Sequence, residues 1–107
     1  MSDELLSMTI AQLAPLVRQR KVSPVELTEA VLQRAETLGA KLGSIITLLR
    51  DDALAQARAR EADMLRGGYR GPLDGIPVSI KDNLATAGVR TTIGTKVFDQ
   101  SEPAEDA

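Results

Sequence analysis

Gly71-Pro72-Leu73-Asp74-Gly75-Ile76-Pro77-Val78-Ser79-Ile80-Lys81-Asp82-Asn83 is the stretch on which the reading of this chain turns. Ile76, Val78 and Ile80 alternate with Pro77, Ser79 and Lys81, the period-two pattern of a strand with a covered face. Gly71-Pro72 marks a turn before it and Asp82-Asn83 a turn after it. Lys81 therefore closes an apolar strand. On spacing alone, such a lysine is a surface residue whose stem snorkels over apolar neighbours.

A second segment changes that weighting. Ala87-Gly88-Val89-Arg90-Thr91-Thr92-Ile93-Gly94-Thr95 follows closely, and the two segments together resemble the opening of the amidase signature family. That family includes aryl-acylamidases, fatty-acid-amide hydrolases and the A subunit of the glutamyl-tRNA(Gln) amidotransferase. The resemblance implies an α/β fold: N-terminal helices plus short strands of an α/β/α domain with a mixed sheet, truncated. It implies that residues 1–107 are the N-terminal part of a single amidase domain; the polar composition of 100–107 separately predicts a frayed tail.

The same resemblance assigns chemistry. Lys81 matches the base of the family's Ser–cis-Ser–Lys triad, and the two serines belong to a Gly/Ser-rich signature that this sequence does not contain. The implied activity of the whole protein is hydrolysis of carboxamide C–N bonds. Glutamine hydrolysis in a tRNA-dependent amidotransferase is one alternative. The other is an inactive product, or a docking module for the rest of a split amidase. The expected partners are a small-molecule amide substrate and the remaining amidase chain or amidotransferase subunits, with no cofactor and no metal. Where relatives carry T-T-x-G-S this chain has Thr95 in place of the serine, which keeps the hydroxyl.

Composition is consistent with part of a larger domain. The chain has 107 residues, with Tyr69 and Phe98 as its aromatic residues. Each aromatic buries ~150–250 Å² in a core, so an aliphatic core gains less per residue. Fifteen acidic against thirteen basic residues give a net charge of −2, which offers no field for direct nucleic-acid or membrane binding. The sequence has no cysteine and no histidine, so disulfides and Cys–His chemistry are excluded and the usual zinc ligands are missing. Met1-Ser2-Asp3-Glu4 is acidic where a signal peptide would be basic, and no apolar run reaches the ~20 residues that span a bilayer. A cytoplasmic protein is the expectation.

The first two-thirds predict helix, helix, short strand, helix. Thr9 and Gln12 stand at capping-box spacing, with Ile10, Leu13, Ala14 and Val17 on one face beyond them. Ser23-Pro24-Val25-Glu26 is a second capping box with proline at the first helical position. Leu27, Ala30, Val31, Ala35 and Leu38 follow as a stripe, ended by Gly39. Ser44 to Leu49 is rich in leucine and β-branched residues and predicts a short strand. Asp51 or Asp52 starts an alanine-rich helix that Gly67-Gly68 stops, with Leu54, Ala57, Met64 and Leu65 as inner positions.

The chemistry asks for a particular lysine. A serine hydroxyl is a poor nucleophile until a base takes its proton. An amine accepts that proton only when neutral, and burial in a low-dielectric setting favours the neutral form. A lysine at the end of an apolar strand beneath packed helices meets that requirement. Ser79 stands two residues away, an S-x-K spacing rather than the S-x-x-K that places Ser and Lys one helical turn apart; it is read as a residue that supports the site from behind or serves in packing. A Schiff base to pyridoxal phosphate is another lysine chemistry, but no phosphate-cradling loop accompanies Lys81. Gly94-Thr95-Lys96 lacks the G-K-[ST] order of a phosphate loop.

Overall fold

Thr9 caps the first long helix as its spacing predicts. Its hydroxyl accepts from the Gln12 N–H, and the Gln12 side chain accepts in return from the Thr9 N–H. In the computed structural model, which describes residues 2–107, this helix is α2 (Ile10–Arg18), preceded by α1 (Ser2–Leu6). Ser23 supplies the N-cap half of the second box, accepting from the N–H groups of Val25 and Glu26, and starts α3 (Pro24–Arg34). Each such cap contributes on the order of 1 kcal/mol.

The helical path does not stop at Gly39. It continues through one π-helical turn, Ala35–Gly39, into α4 (Ala40–Leu42), and ends at Gly43 with φ of 63°. Gly39 is buried within this path, where a Cβ would stand 3.3 Å from Ser44 Oγ and at ordinary contact distance, 3.5 Å, from Ile45 Cγ1. After the bends of residues 44–49, α5 (Arg50–Leu65) runs to Gly67, where φ is 86°.

The chain divides into two compact units, Met1–Pro77 and Val78–Ala107. In the first, α3 packs chiefly on α5, and α1 packs on α3. The core joins Leu5, Leu13, Val17, Val22, Leu27 and Met64, with Met8, Leu16, Tyr69 and Ile76 against it. Leu27 is 1% exposed and Val17 2%. The expected stripe of α5 holds at Leu54, Ala57 and Met64, whereas Leu65 faces solvent.

The predicted sheet is not formed. No strand occurs among the described residues, so the α/β class with short strands and a mixed sheet is corrected to a helical chain joined by irregular segments and turns. A strand exists only through a paired neighbour, and alternation by itself supplies none. Ser44 to Leu49 forms bends, with Ile46, Leu48 and Leu49 exposed. Within Ile76–Lys81, Ile76 joins the core of the first unit, but Val78 is 70% and Ile80 57% exposed.

The loop that leaves α5 is pinned by one guanidinium. Arg60 donates to both carboxylate oxygens of Asp74, at 2.7 and 2.9 Å, and to the Gly68 carbonyl at 3.0 Å. It also pairs with Asp63 one turn along its own helix. The Arg70 N–H adds a third bond to Asp74, at 2.9 Å. Hydrogen bonding from Arg60 is the main cause holding the Asp74 carboxyl below the usual carboxylate range, and the same bond raises Arg60. Bidentate pairs of this kind are among the stronger polar contacts.

Gly75 follows directly, with φ of 77°, and a Cβ there would lie 2.8 Å from Pro24 Cγ and 3.0 Å from Met64 Cε. Backbone conformation and crowding both exclude a larger residue. Gly75→Ala should therefore destabilise the first unit by about 1–3 kcal/mol, read by denaturant unfolding. An unchanged midpoint would show that the loop is not seated on α3 and α5 as described.

Candidate active site

Lys81 sits where a segment without regular secondary structure becomes a turn. Its carbonyl accepts from the Leu84 N–H at 3.0 Å, which closes a β-turn over Lys81-Asp82-Asn83-Leu84. Its side chain is exposed, as is that of Ser79. The covering expected from the sequence is therefore not present at Lys81 among the described residues.

The next residue is fixed from two directions. Asp82 Oδ1 accepts from the Thr92 N–H at 2.9 Å, and Asp82 Oδ2 accepts a short hydrogen bond from the Thr92 hydroxyl. The Asp82 carbonyl accepts from the Ile93 N–H at 3.0 Å. Thr92 is buried, and its hydroxyl oxygen also accepts from the Gly94 N–H at 3.2 Å. Side-chain and main-chain oxygens of one aspartate are thus both engaged by the 92–93 segment.

That segment is a tight turn. The Thr95 N–H donates to the Thr92 carbonyl at 3.1 Å, and the central residues Ile93 and Gly94 have φ of 54° and 70°. Positive φ at both central positions is the requirement of a type I′ turn. Glycine meets it freely; an isoleucine there is a conformational outlier, costing on the order of 1–3 kcal/mol, and persists only where surrounding bonds over-determine it. The bonds to Asp82 are such a constraint.

The remainder of this unit is tied along its length. The Thr91 N–H donates to the Ser101 carbonyl at 2.9 Å, Gly88 to Pro103 at 2.8 Å, and Ala107 to Ala85 at 2.8 Å. Asp106 accepts from the Ala87 N–H at 2.7 Å, and the Arg90 guanidinium donates to the Asp99 carbonyl. Thr95 caps the 3₁₀ turn Lys96–Phe98 through the Val97 N–H. Residues 101–107 thus run back alongside 85–91 without forming a ladder.

The sequence points to Lys81 and marks Asp82 as a turn former. It does not reveal the Asp82–Thr92 pairing. Ten positions separate the two residues, and no local periodicity links them. The available signal is a threonine at the start of an Ile-Gly turn, with a short acidic residue upstream that accepts from its N–H and hydroxyl.

Comparison with known proteins gives the family. The family model described as Amidase matches residues 26–107. The chain belongs to the amidase family. A putative amidase AmiD of Mycobacterium tuberculosis (strain ATCC 25618 / H37Rv) is 38% identical over 105 residues, covering 98% of this chain and 22% of the relative. The A subunit of a glutamyl-tRNA(Gln) amidotransferase from Thermoanaerobacter pseudethanolicus is 40% identical over 105 residues, covering 97% and 21%. The corresponding protein of Dehalococcoides mccartyi (strain CBDB1) is 39% identical over 104 residues, covering 97% and 21%. The chain thus spans about a fifth of the length of these curated relatives. No solved structure matches it. Among the described residues no helix is long and apolar enough to cross a membrane.

The carboxyl of Asp82 lies below the usual carboxylate range, first through the Thr92 hydroxyl and then through the Thr92 N–H. A depressed folded-state pKa contributes stability that is fully present above the unfolded value of about 3.9 and is lost as pH falls through the folded value. Acidification below about pH 3.9 should therefore shift the Thr92 and Ile93 amide resonances together, and Asp82→Asn should abolish that titration. A midpoint at or above the unfolded value would contradict the bonding described.

Proposed function

We propose that residues 1–107 are the N-terminal part of an amidase that hydrolyses carboxamide C–N bonds, with Lys81 as its general base. The observation that carries this is the position of Lys81 in I-K-D-N, within the 26–107 span that matches the family. The hydrogen-bonded turn at Lys81-Asp82 adds support, because it fixes the backbone from which the amine projects.

On this reading the Lys81 amine accepts the proton of a bridging serine as that serine accepts the proton of the nucleophilic serine. The freed alkoxide adds to the amide carbonyl carbon. Collapse of the tetrahedral adduct expels the amine, which takes up the proton, and leaves an acyl-serine for water to hydrolyse. Backbone N–H groups directed at the developing oxyanion would contribute the larger share of the barrier lowering. Both serines and those donors belong to the part of the relatives that this chain does not span. What 1–107 contributes is the base, the turn that carries it, and the helical unit of Met1–Pro77.

A second reading has its own support. Two relatives at 39–40% identity are named as the A subunit of a glutamyl-tRNA(Gln) amidotransferase. There the amide would be that of glutamine, and the partners would be the other subunits of the complex.

A general base contributes typically ~10²–10⁴-fold and acts only on a nucleophile it can reach. The 107-residue chain alone should release no ammonia from glutamine or simple carboxamides. Extended by an amidase C-terminal part that bears the two serines, it should hydrolyse one of these substrate classes. Ammonia release by 1–107 alone, lost in Lys81→Ala, would overturn the proposal, as would an extended, folded protein inactive on both classes.

A further inference from the structure

We infer that Asp82 and Thr92 are positioning residues for Lys81: together they form a latch that fixes the backbone turn from which the lysine projects. This deepens the proposed function, since it matters for catalysis only if Lys81 is the base.

Asp82 is adjacent to Lys81 in the chain, and every strong acceptor it owns is used on one segment. Oδ1 takes the Thr92 N–H at 2.9 Å, Oδ2 takes the Thr92 hydroxyl, and the carbonyl takes the Ile93 N–H at 3.0 Å. The peptide linking Lys81 to Asp82 is thereby held on its C-terminal side by three bonds. The Lys81 carbonyl, bonded to the Leu84 N–H at 3.0 Å, completes the hold. An ordinary turn-forming aspartate bonds its own backbone two residues on. Asp82 instead reaches ten residues along the chain, to a buried threonine.

Ile93 supplies an independent observation. A β-branched residue at φ of 54° stores strain that local sequence does nothing to relieve. Its N–H is the group that meets the Asp82 carbonyl. Such strain is maintained where the surrounding bonds require one geometry, and it concentrates at functional positions. The charged acceptor makes the latch stronger than a neutral one. A base must be held to within a fraction of an ångström of its proton donor, and a side chain as flexible as lysine gains that only if its Cα is fixed first. Asp82 fixes the turn, and Thr92 fixes Asp82.

The test uses the 107-residue chain and amide hydrogen exchange at Leu84 and Ile93, whose N–H groups bond the carbonyls of Lys81 and Asp82. Asp82→Ala should accelerate exchange at both sites about tenfold or more, the equivalent of one charge-assisted hydrogen bond. Thr92→Val, which keeps the shape and removes the hydroxyl, should act in the same direction. Thr92→Ser should restore exchange to within about twofold of the original chain, a rescue that loss of packing alone would not give. Amides of residues 2–77 serve as the folding control. Wild-type exchange at Leu84 in a folded Asp82→Ala chain would overturn the latch, and so would a Thr92→Ser chain as loose as Thr92→Val. This readout requires no turnover, so it stands or falls separately from the assignment of Lys81 as base, which activity measurements decide.

Discussion

Arg60 is the side chain on which the helical unit depends. Its guanidinium joins the middle of α5 to Asp74, Asp63 and the Gly68 carbonyl, and so converts the chain leaving that helix into a fixed loop. The Asp74 side chain is only 4% exposed, a setting in which an unpaired carboxylate would be costly. The planar, five-donor fork satisfies it where a lysine would offer a single point charge. With the loop held, Gly75 can approach Pro24 and Met64, and Ile76 can reach the aliphatic core. In a chain with two aromatic residues, such a polar clasp complements a core in which Leu27 and Val17 are the most deeply buried large side chains among the described residues.

A similar economy operates in Val78–Ala107, which has one 3₁₀ turn as its regular structure. Here Asp82 takes the part that Arg60 takes in the first unit, as one charged residue that gathers several backbone and hydroxyl partners. The buried threonines Thr91 and Thr92 are satisfied locally, by the Val89 carbonyl and by Asp82, as burial of a hydroxyl requires. Polar bonding rather than apolar burial organises this unit, and Val78, Ile80, Ile93 and Val97 remain exposed.

The helices are legible in the sequence because their signals are local. Thr9 with Gln12, Ser23 with Pro24, and the apolar recurrences at Leu13, Val17, Leu27, Leu54 and Met64 are each decided within a few residues. Strand pairing is non-local, and there the sequence misleads. Ile76, Val78 and Ile80 carry the alternation of a covered strand, yet no ladder partner occurs among the described residues. Gly39 by its identity suggests a helix stop, but its backbone stays right-handed and the helix ends at Gly43 instead. At the candidate site, Lys81 is legible through its setting in I-K-D-N. The Asp82–Thr92 latch is not, since only the three-dimensional turn brings the two residues together.

The proposed role of Lys81 as general base is what distinguishes this chain from a mere scaffold. Lys81→Met in the chain extended by a serine-bearing amidase part tests it most directly, because methionine keeps the stem volume and removes the amine. kcat should fall at least about 10²-fold, the lower end of what a positioned base contributes, with unfolding unchanged. A Lys81→Met protein that retained a substantial share of kcat would show that another group accepts the serine proton.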